Sequence, residues 1–362
     1  MIAWAVAGTI ALAFVVSAMA TSLSKGVARR FNMLDLPGRH KGHAAAVPML
    51  GGSAVFLTIC GISLLAMALA RYWSATEVPG WLPKGLALHV PGAAIRAPIA
   101  LGILGGALLL HIVGLVDDKK DLGPLPKLVA QFVVAGLVVA FCGVRILTAA
   151  GGPVSVIASI IWLVAITNAF NFLDNMDGLA AGVAIVVSAA LLVASIGIGQ
   201  LFVPAWLCLL IGALGGFMLF NFPPASVYMG DAGSLVVGYL LGVVTCLTTY
   251  VQPGQTYYAY GIFVPLVLMA VPLYDMVSVV VLRLRDRRNP MVGDRRHFSH
   301  RLLRRGMSVR KAALTIWLCA GATAVSAILL TMVTAFGAVM VFVQTGLVVL
   351  ALAVLESADR RR

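Results

Sequence analysis

The sequence predicts an all-α polytopic membrane protein of about eleven transmembrane helices, and three observations predict it. Of the 362 residues, 61% are hydrophobic and only 11% are charged, whereas an ordinary soluble domain is charged at about a quarter of its positions. Apolar runs of roughly 20 residues, the length that crosses a bilayer as a helix, recur along the whole chain. Lysine and arginine gather in alternate loops between those runs.

In order, the apolar runs are roughly 2–23, 50–70, 97–116, 127–147, 153–170, 179–198, 201–220, 234–250, 262–282, 312–334 and 336–355. The first lacks a basic leader and is followed by further spans, so it reads as a membrane anchor and not as a cleaved signal. Residues 71–96, with Trp73, Trp81, Pro79 and Pro83, read as an interfacial loop. The glycines of Gly102–Gly106 and Gly212–Gly216 suit close helix packing in lipid. Five cysteines, all within apolar runs, fit packing better than disulfides or metal ligation. No internal repeat is present, and 1–362 reads as one integral-membrane domain whose polar motifs lie between about 35 and 310.

The loops after odd-numbered spans hold nearly all the cations: five in 24–49, eleven in 283–311 and three in 356–362. The positive-inside rule puts those loops and the C-terminus in the cytoplasm and the N-terminus outside. Of the thirteen acids, all but Glu77 and Asp275 fall on the same side. A net charge of +13 distributed in this way points to anionic headgroups and phosphorylated substrates, not to nucleic acid.

Four polar clusters share that face. The densest runs from Asn168 to Gly182; read as a helix, it puts Asn168, Asn171 and Asn175 on one face and Asp174 beside Asp177. A plain interfacial loop explains so many amides and acids poorly. The second, His111 to Lys127, ends a span in Asp117, Asp118 and Asp121, whose carboxylates would converge. Such carboxylates repel unless a cation lies between them, which suits Mg²⁺ bridged to phosphate, with Lys127 as a phosphate partner. The third, Asn221 to Ser234, sets Asp231 between Gly230 and Gly233 as a metal ligand. The amides of the next helix can receive an anion, and Tyr228 can stack on a flat base. The fourth is the basic loop 283–305, where His297 and His300 lie one helical turn apart and suit a diphosphate better than zinc. A further loop, Asp35 to Gly52, offers Arg39, Lys41 and His43. Asp275, inside the ninth span, is costly there and is a functional candidate facing the bundle.

Asp117-Asp118, Asn168-x-x-Asn171-x-x-Asp174-x-x-Asp177-Gly-Leu-Ala, Asn221-Phe through Met-Gly-Asp231-x-Gly-Ser234, and His297-x-x-His300-Arg-Leu occur in this order. Together they resemble the polyprenyl-phosphate N-acetylhexosamine-1-phosphate transferase superfamily, in the branch that starts teichoic-acid or lipopolysaccharide-type glycans with UDP-N-acetylglucosamine. The resemblance implies a bacterial inner-membrane enzyme, with Mg²⁺ (Mn²⁺ as a second candidate), that takes a UDP-sugar and undecaprenyl phosphate and releases UMP. A homodimer is a candidate assembly. By likeness, Asp231 and Asn171 would hold the metal, and Asp117, with Asp118 beside it, would meet the lipid phosphate. Asp174 and Asp177 would border the nucleotide with Asn168 and Tyr228. His297, His300, Arg301, Lys127 and His43 would meet phosphates or sugar. In-line direct displacement is the expected mechanism, with a phospho-aspartate at Asp117 as the alternative.

Three positions depart from the family pattern: Asn175 where glycine is usual, Ser299 where a middle histidine is common, and Met49 before Gly51-Gly52. Left-handed backbone is the role expected of Asn175. The rival readings are the muramoyl-pentapeptide branch, marked by three consecutive histidines, and an ion-coupled transporter, marked by acids near the bilayer midplane.

Overall fold

The computed structural model describes residues 2–35, 46–250, 259–287, 289 and 297–357. Its helices, in chain order, are α1 (Ile2–Arg30), α2 (Gly51–Ala75), α3 (Lys84–Ala87), α4 (Val90–Lys120), α5 (Pro124–Phe141), α6 (Gly152–Leu173) and α7 (Leu179–Gly197). Next come α8 (Phe202–Asn221), α9 (Asp231–Leu247), α10 (Val264–Leu268), α11 (Ala270–Arg285), α12 (Phe298–Arg304), α13 (Val309–Leu329) and α14 (Ala335–Ser357). Two short strands, β1 (Leu34–Asp35) and β2 (Val47–Pro48), pair antiparallel. The all-α polytopic class is therefore what the chain adopts.

Among the described residues, nine helices are long and apolar enough to cross a membrane, or ten if a bent pair counts as one span. That pair, Tyr260–Leu268 (a 3-10 turn running into α10) with α11, replaces the straight ninth span and bends by 64° around Met269. Pro265 and Pro272 withhold backbone donors on either side of the bend. A further apolar helix, α9, has 17 residues, short for a span. The expected interfacial loop 71–96 is partly helical: α2 runs to Ala75 and α4 begins at Val90, with α3 between them.

Helix α9 is the axis of the bundle. Every residue from Ala232 to Cys246 is buried, enclosed by α2, α4 and α6. Glycine makes this enclosure possible at its N-terminal end. A Cβ on Gly52 would collide with Gly233, and one on Gly114 with Ala232, so α2 and α4 touch the backbone of α9 directly. On the far side, Gly212 and Gly216 of α8 lie against the backbone of α1, as the glycine pattern predicts.

Candidate active site

Helix α9 begins three residues earlier than the sequence suggests, because Gly230 takes a left-handed turn (φ 70°) and Asp231 becomes its first residue. The carboxylate of Asp118 accepts hydrogen bonds from the N–H of Asp231 (2.8 Å) and of Ala232 (3.1 Å). An acid of the chain itself thus satisfies the positive end of α9, so those amides do not await an external anion as expected from the sequence. Asp117 faces the other way. Its Oδ1 accepts from Leu122 N (2.9 Å) and its Oδ2 from Lys127 Nζ (2.8 Å). The same ammonium donates to Asp231 Oδ2 at 2.6 Å, so Lys127 bridges the end of α4 to the start of α9. Asp121 does not join the cluster. It closes α4 in the left-handed region (φ 50°) and is exposed.

Helix α6 stops at Leu173, so residues 174–178 form a turn, not the continued helix expected from the sequence. Burial pushes the Asp174 carboxyl well above the ordinary carboxylate range, and the neighbouring charges of Asp231, Asp118 and Asp177 add to the shift. Asn171 Nδ2 donates to Ser234 Oγ of α9 at 2.9 Å, which leaves its oxygen as a donor atom for a cation. Asn168 pairs its amide with that of buried Gln131 on α5, a helix–helix contact. Asp177 Oδ2 accepts from Ala225 N (2.9 Å), tying the turn to the loop before α9. Burial, with Asp177 and Asp35 nearby, raises the Tyr228 phenol to about 12, so it stays neutral and able to stack.

Asn221 opens the third cluster, yet the sequence alone assigns it no role. It is buried and holds this arrangement together, accepting from Gly178 N (2.9 Å) and donating to Val227 O (2.9 Å). The signal available in the sequence was an amide at the end of an apolar helix, where an unpaired polar group is costly.

The histidines come in on α12. Asp275 is fully buried on α11; its Oδ2 accepts from His297 Nδ1 (2.9 Å) and its Oδ1 from Phe298 N (3.1 Å). It therefore orients a histidine and caps a helix, which accounts for an acid inside the ninth span without ion coupling. The His297 ring meets Phe172 edge-on, centroids 5.7 Å apart, and so reaches the acidic turn. His300 lies one turn further along α12, half-buried. Arg301, expected on the sugar-diphosphate, is engaged elsewhere: it pairs with Glu356 of α14 (3.0 Å) and donates to Ser278 Oγ (3.0 Å). His43, Arg39 and Lys41 lie outside the described residues.

Asp231, Asp174 and the Asn171 oxygen present hard oxygen donors with mutual repulsion at Asp174, a set that fits Mg²⁺. Among the described residues, no group of three or more His, Cys, Asp or Glu is placed to hold a metal ion by itself.

Comparison with known proteins gives the family. The family model described as glycosyl transferase family 4 matches residues 100–249. The chain is 30% identical over 340 residues to the decaprenyl-phosphate N-acetylglucosaminephosphotransferase of Mycolicibacterium smegmatis, covering 87% of this chain and 79% of that protein. It is 28% identical over 337 residues to a protein of Bacillus subtilis described as a probable undecaprenyl-phosphate N-acetylglucosaminyl 1-phosphate transferase, covering 90% and 86% respectively. It is 27% identical over 311 residues to the undecaprenyl-phosphate alpha-N-acetylglucosaminyl 1-phosphate transferase of Escherichia coli, covering 82% and 76%.

Proposed function

The chain belongs to glycosyl transferase family 4, and on that premise we propose that it transfers N-acetylglucosamine-1-phosphate from UDP-N-acetylglucosamine to undecaprenyl phosphate, releasing UMP. One observation carries the reading. Lys127 joins Asp117 to Asp231, so acids at the ends of two different helices meet at one cation, and Asp174 lies close enough to Asp231 for their charges to interact. A phosphoryl transfer needs this kind of positioning and charge neutralisation rather than covalent chemistry by the protein.

The acceptor phosphate oxygen attacks the phosphorus that bears the sugar. A bond forms there as the bond from that phosphorus to the bridging oxygen breaks, and UMP carries the bridging oxygen away. The acceptor is already anionic near neutral pH, so no strong base is required. Lys127 neutralises charge that builds on the diphosphate, and Asp117 holds Lys127 in place. Asp117 accepts from Leu122 N and Lys127 Nζ, which gives it a positioning role in a direct displacement. Asp231 and Asn171 would hold Mg²⁺, which when bound supplies positive charge to the donor diphosphate. Asp177 and Tyr228 border the uracil, and His297, aimed by Asp275, faces the sugar-diphosphate with His300.

The charge pattern supports a cytoplasmic site and C-terminus with the N-terminus outside. The test is UMP release from membranes carrying the protein, given Mg²⁺, undecaprenyl phosphate and a panel of UDP-sugars. Release with UDP-N-acetylglucosamine is expected, and none with any donor would refute the proposal. A phospho-enzyme isolated with the donor alone would refute direct displacement.

A further inference from the structure

Helix α12 has seven residues, too few to hold a pose by helical hydrogen bonding alone. Its place is set by attachments. Asp275 fastens its start to α11, and the Phe172 ring meets His297. A third attachment joins it directly to the acidic turn: Ser299 Oγ donates to Asn175 Oδ1 at 2.5 Å. Ser299 is fully buried and lies between His297 and His300, while Asn175 lies between Asp174 and Asp177. The bond therefore links the two clusters at their centres.

The amide of Asn175 can face only one way. Its Nδ2 donates to Phe172 O at 2.6 Å, and a flipped amide would set two oxygens against each other there. Nor does backbone conformation explain the asparagine. Among the described residues, Asn32, Asp121, Leu147 and Arg287 are the non-glycine residues at positive φ, and Asn175 is not one of them. The side chain, not a left-handed turn, is what position 175 uses.

We propose that the Ser299–Asn175 hydrogen bond is a clasp that sets the spacing between the acidic turn and the histidine helix, and so positions the site for a whole nucleotide-diphosphate sugar. The inference rests on the proposed UDP-sugar reaction. A ligand that reaches only the acidic turn, such as UMP, does not sense this spacing. A donor that spans from Asp177 to His297 does. Ser299 and Asn175 act as positioning residues through the groups they hold.

The experiment uses the full-length protein in detergent, comparing wild type with Ser299→Ala, Asn175→Ala and the double variant. Loss of one buried hydrogen bond should weaken UDP-N-acetylglucosamine binding and raise its KM by about tenfold. UMP affinity and the KM for undecaprenyl phosphate should stay within about twofold. The double variant should be no worse than Asn175→Ala, which removes the shared contact together with the bond to Phe172 O. If Ser299→Ala does not fold, Asn175→Ala on the partly buried turn gives the same comparison of UMP with the full donor. Equal losses for UMP and donor, no loss for either, or additive losses would overturn the clasp. A wild type that neither binds donor nor releases UMP overturns the proposed reaction and the clasp together. An active wild type with unaffected variants overturns the clasp alone.

Discussion

Asp118 holds Asp231 by its backbone and not by its side chain: the two amide bonds, at 2.8 and 3.1 Å, fix the first turn of α9 and hence the direction of the Asp231 carboxylate. Asp118→Ala should leave two partly buried amides without a partner and cost about 1–3 kcal/mol of stability. Turnover should fall further than stability does, because Asp231 loses its orientation. Asp118→Asn keeps the shape and one acceptor oxygen and should fall between the two. Thermal melts and UMP release on the same preparations check the order.

Lys127 is a cation shared by Asp117 and Asp231. Lys127→Met keeps the stem and removes the charge, so the two carboxylates face each other across the site without it. Turnover should drop by about a hundredfold, the scale seen when a group that stabilises developing charge is lost. A variant with more than about half the wild-type rate would show that the bridge serves packing alone.

Gly114 carries no chemistry, yet a methyl group there would meet the backbone of Ala232. Gly114→Ala should push α4 from α9 and stretch the Asp118 contacts, since backbone cannot yield as a flexible side chain does. Activity should fall by about tenfold or more with every polar residue intact. Gly105→Ala, on the same helix with open space around its Cβ position, is the control and should be near wild type.

Asp174 gives a pH signature. Its carboxyl is raised in the folded protein, by burial first and then by Asp231, Asp118 and Asp177. A raised group contributes stability that is full below its unfolded value and is lost as pH rises through the folded value. Without divalent cation, the wild type should therefore lose stability on going from acid toward neutral pH relative to Asp174→Asn, which has no charge to bury. Melting curves of both proteins against pH, in chelator, check the sign. Adding Mg²⁺ should close the gap if the cation relieves the carboxylate repulsion.

Much of this was legible in the sequence, for physical reasons that differ by element. The spans are legible because lipid demands long apolar helices, and Asp117, Asp174 and Asp231 because acids beside such helices are costly. The bend at Met269 and the early start of α9 were not, since they depend on where glycine and proline meet tertiary contacts. The partners of Arg301 and Asn175 lie 55 and 124 residues away by number, and no local pattern carries such a pairing. Reading Asn175 for its backbone tolerance assigned its role to φ, where the structure assigns it to the amide.

Arg301 is a residue expected on substrate that the fold employs elsewhere. Its guanidinium pairs with Glu356, which also accepts from the Tyr274 hydroxyl at 2.7 Å, so the end of α14 is pinned to α11 and α12. The two halves of the pair are not equivalent when broken. Arginine does not shed its proton, so Glu356→Ala leaves a buried charge and should cost about 3–5 kcal/mol. Arg301→Ala leaves a carboxyl that can take a proton and keep Tyr274, and should cost about 1–3 kcal/mol. At neutral pH Glu356→Ala should therefore melt lower than Arg301→Ala, while both keep the KM for UDP-N-acetylglucosamine within about threefold. Arg301→Ala with a wild-type melt and a KM raised more than tenfold would instead return this arginine to the substrate.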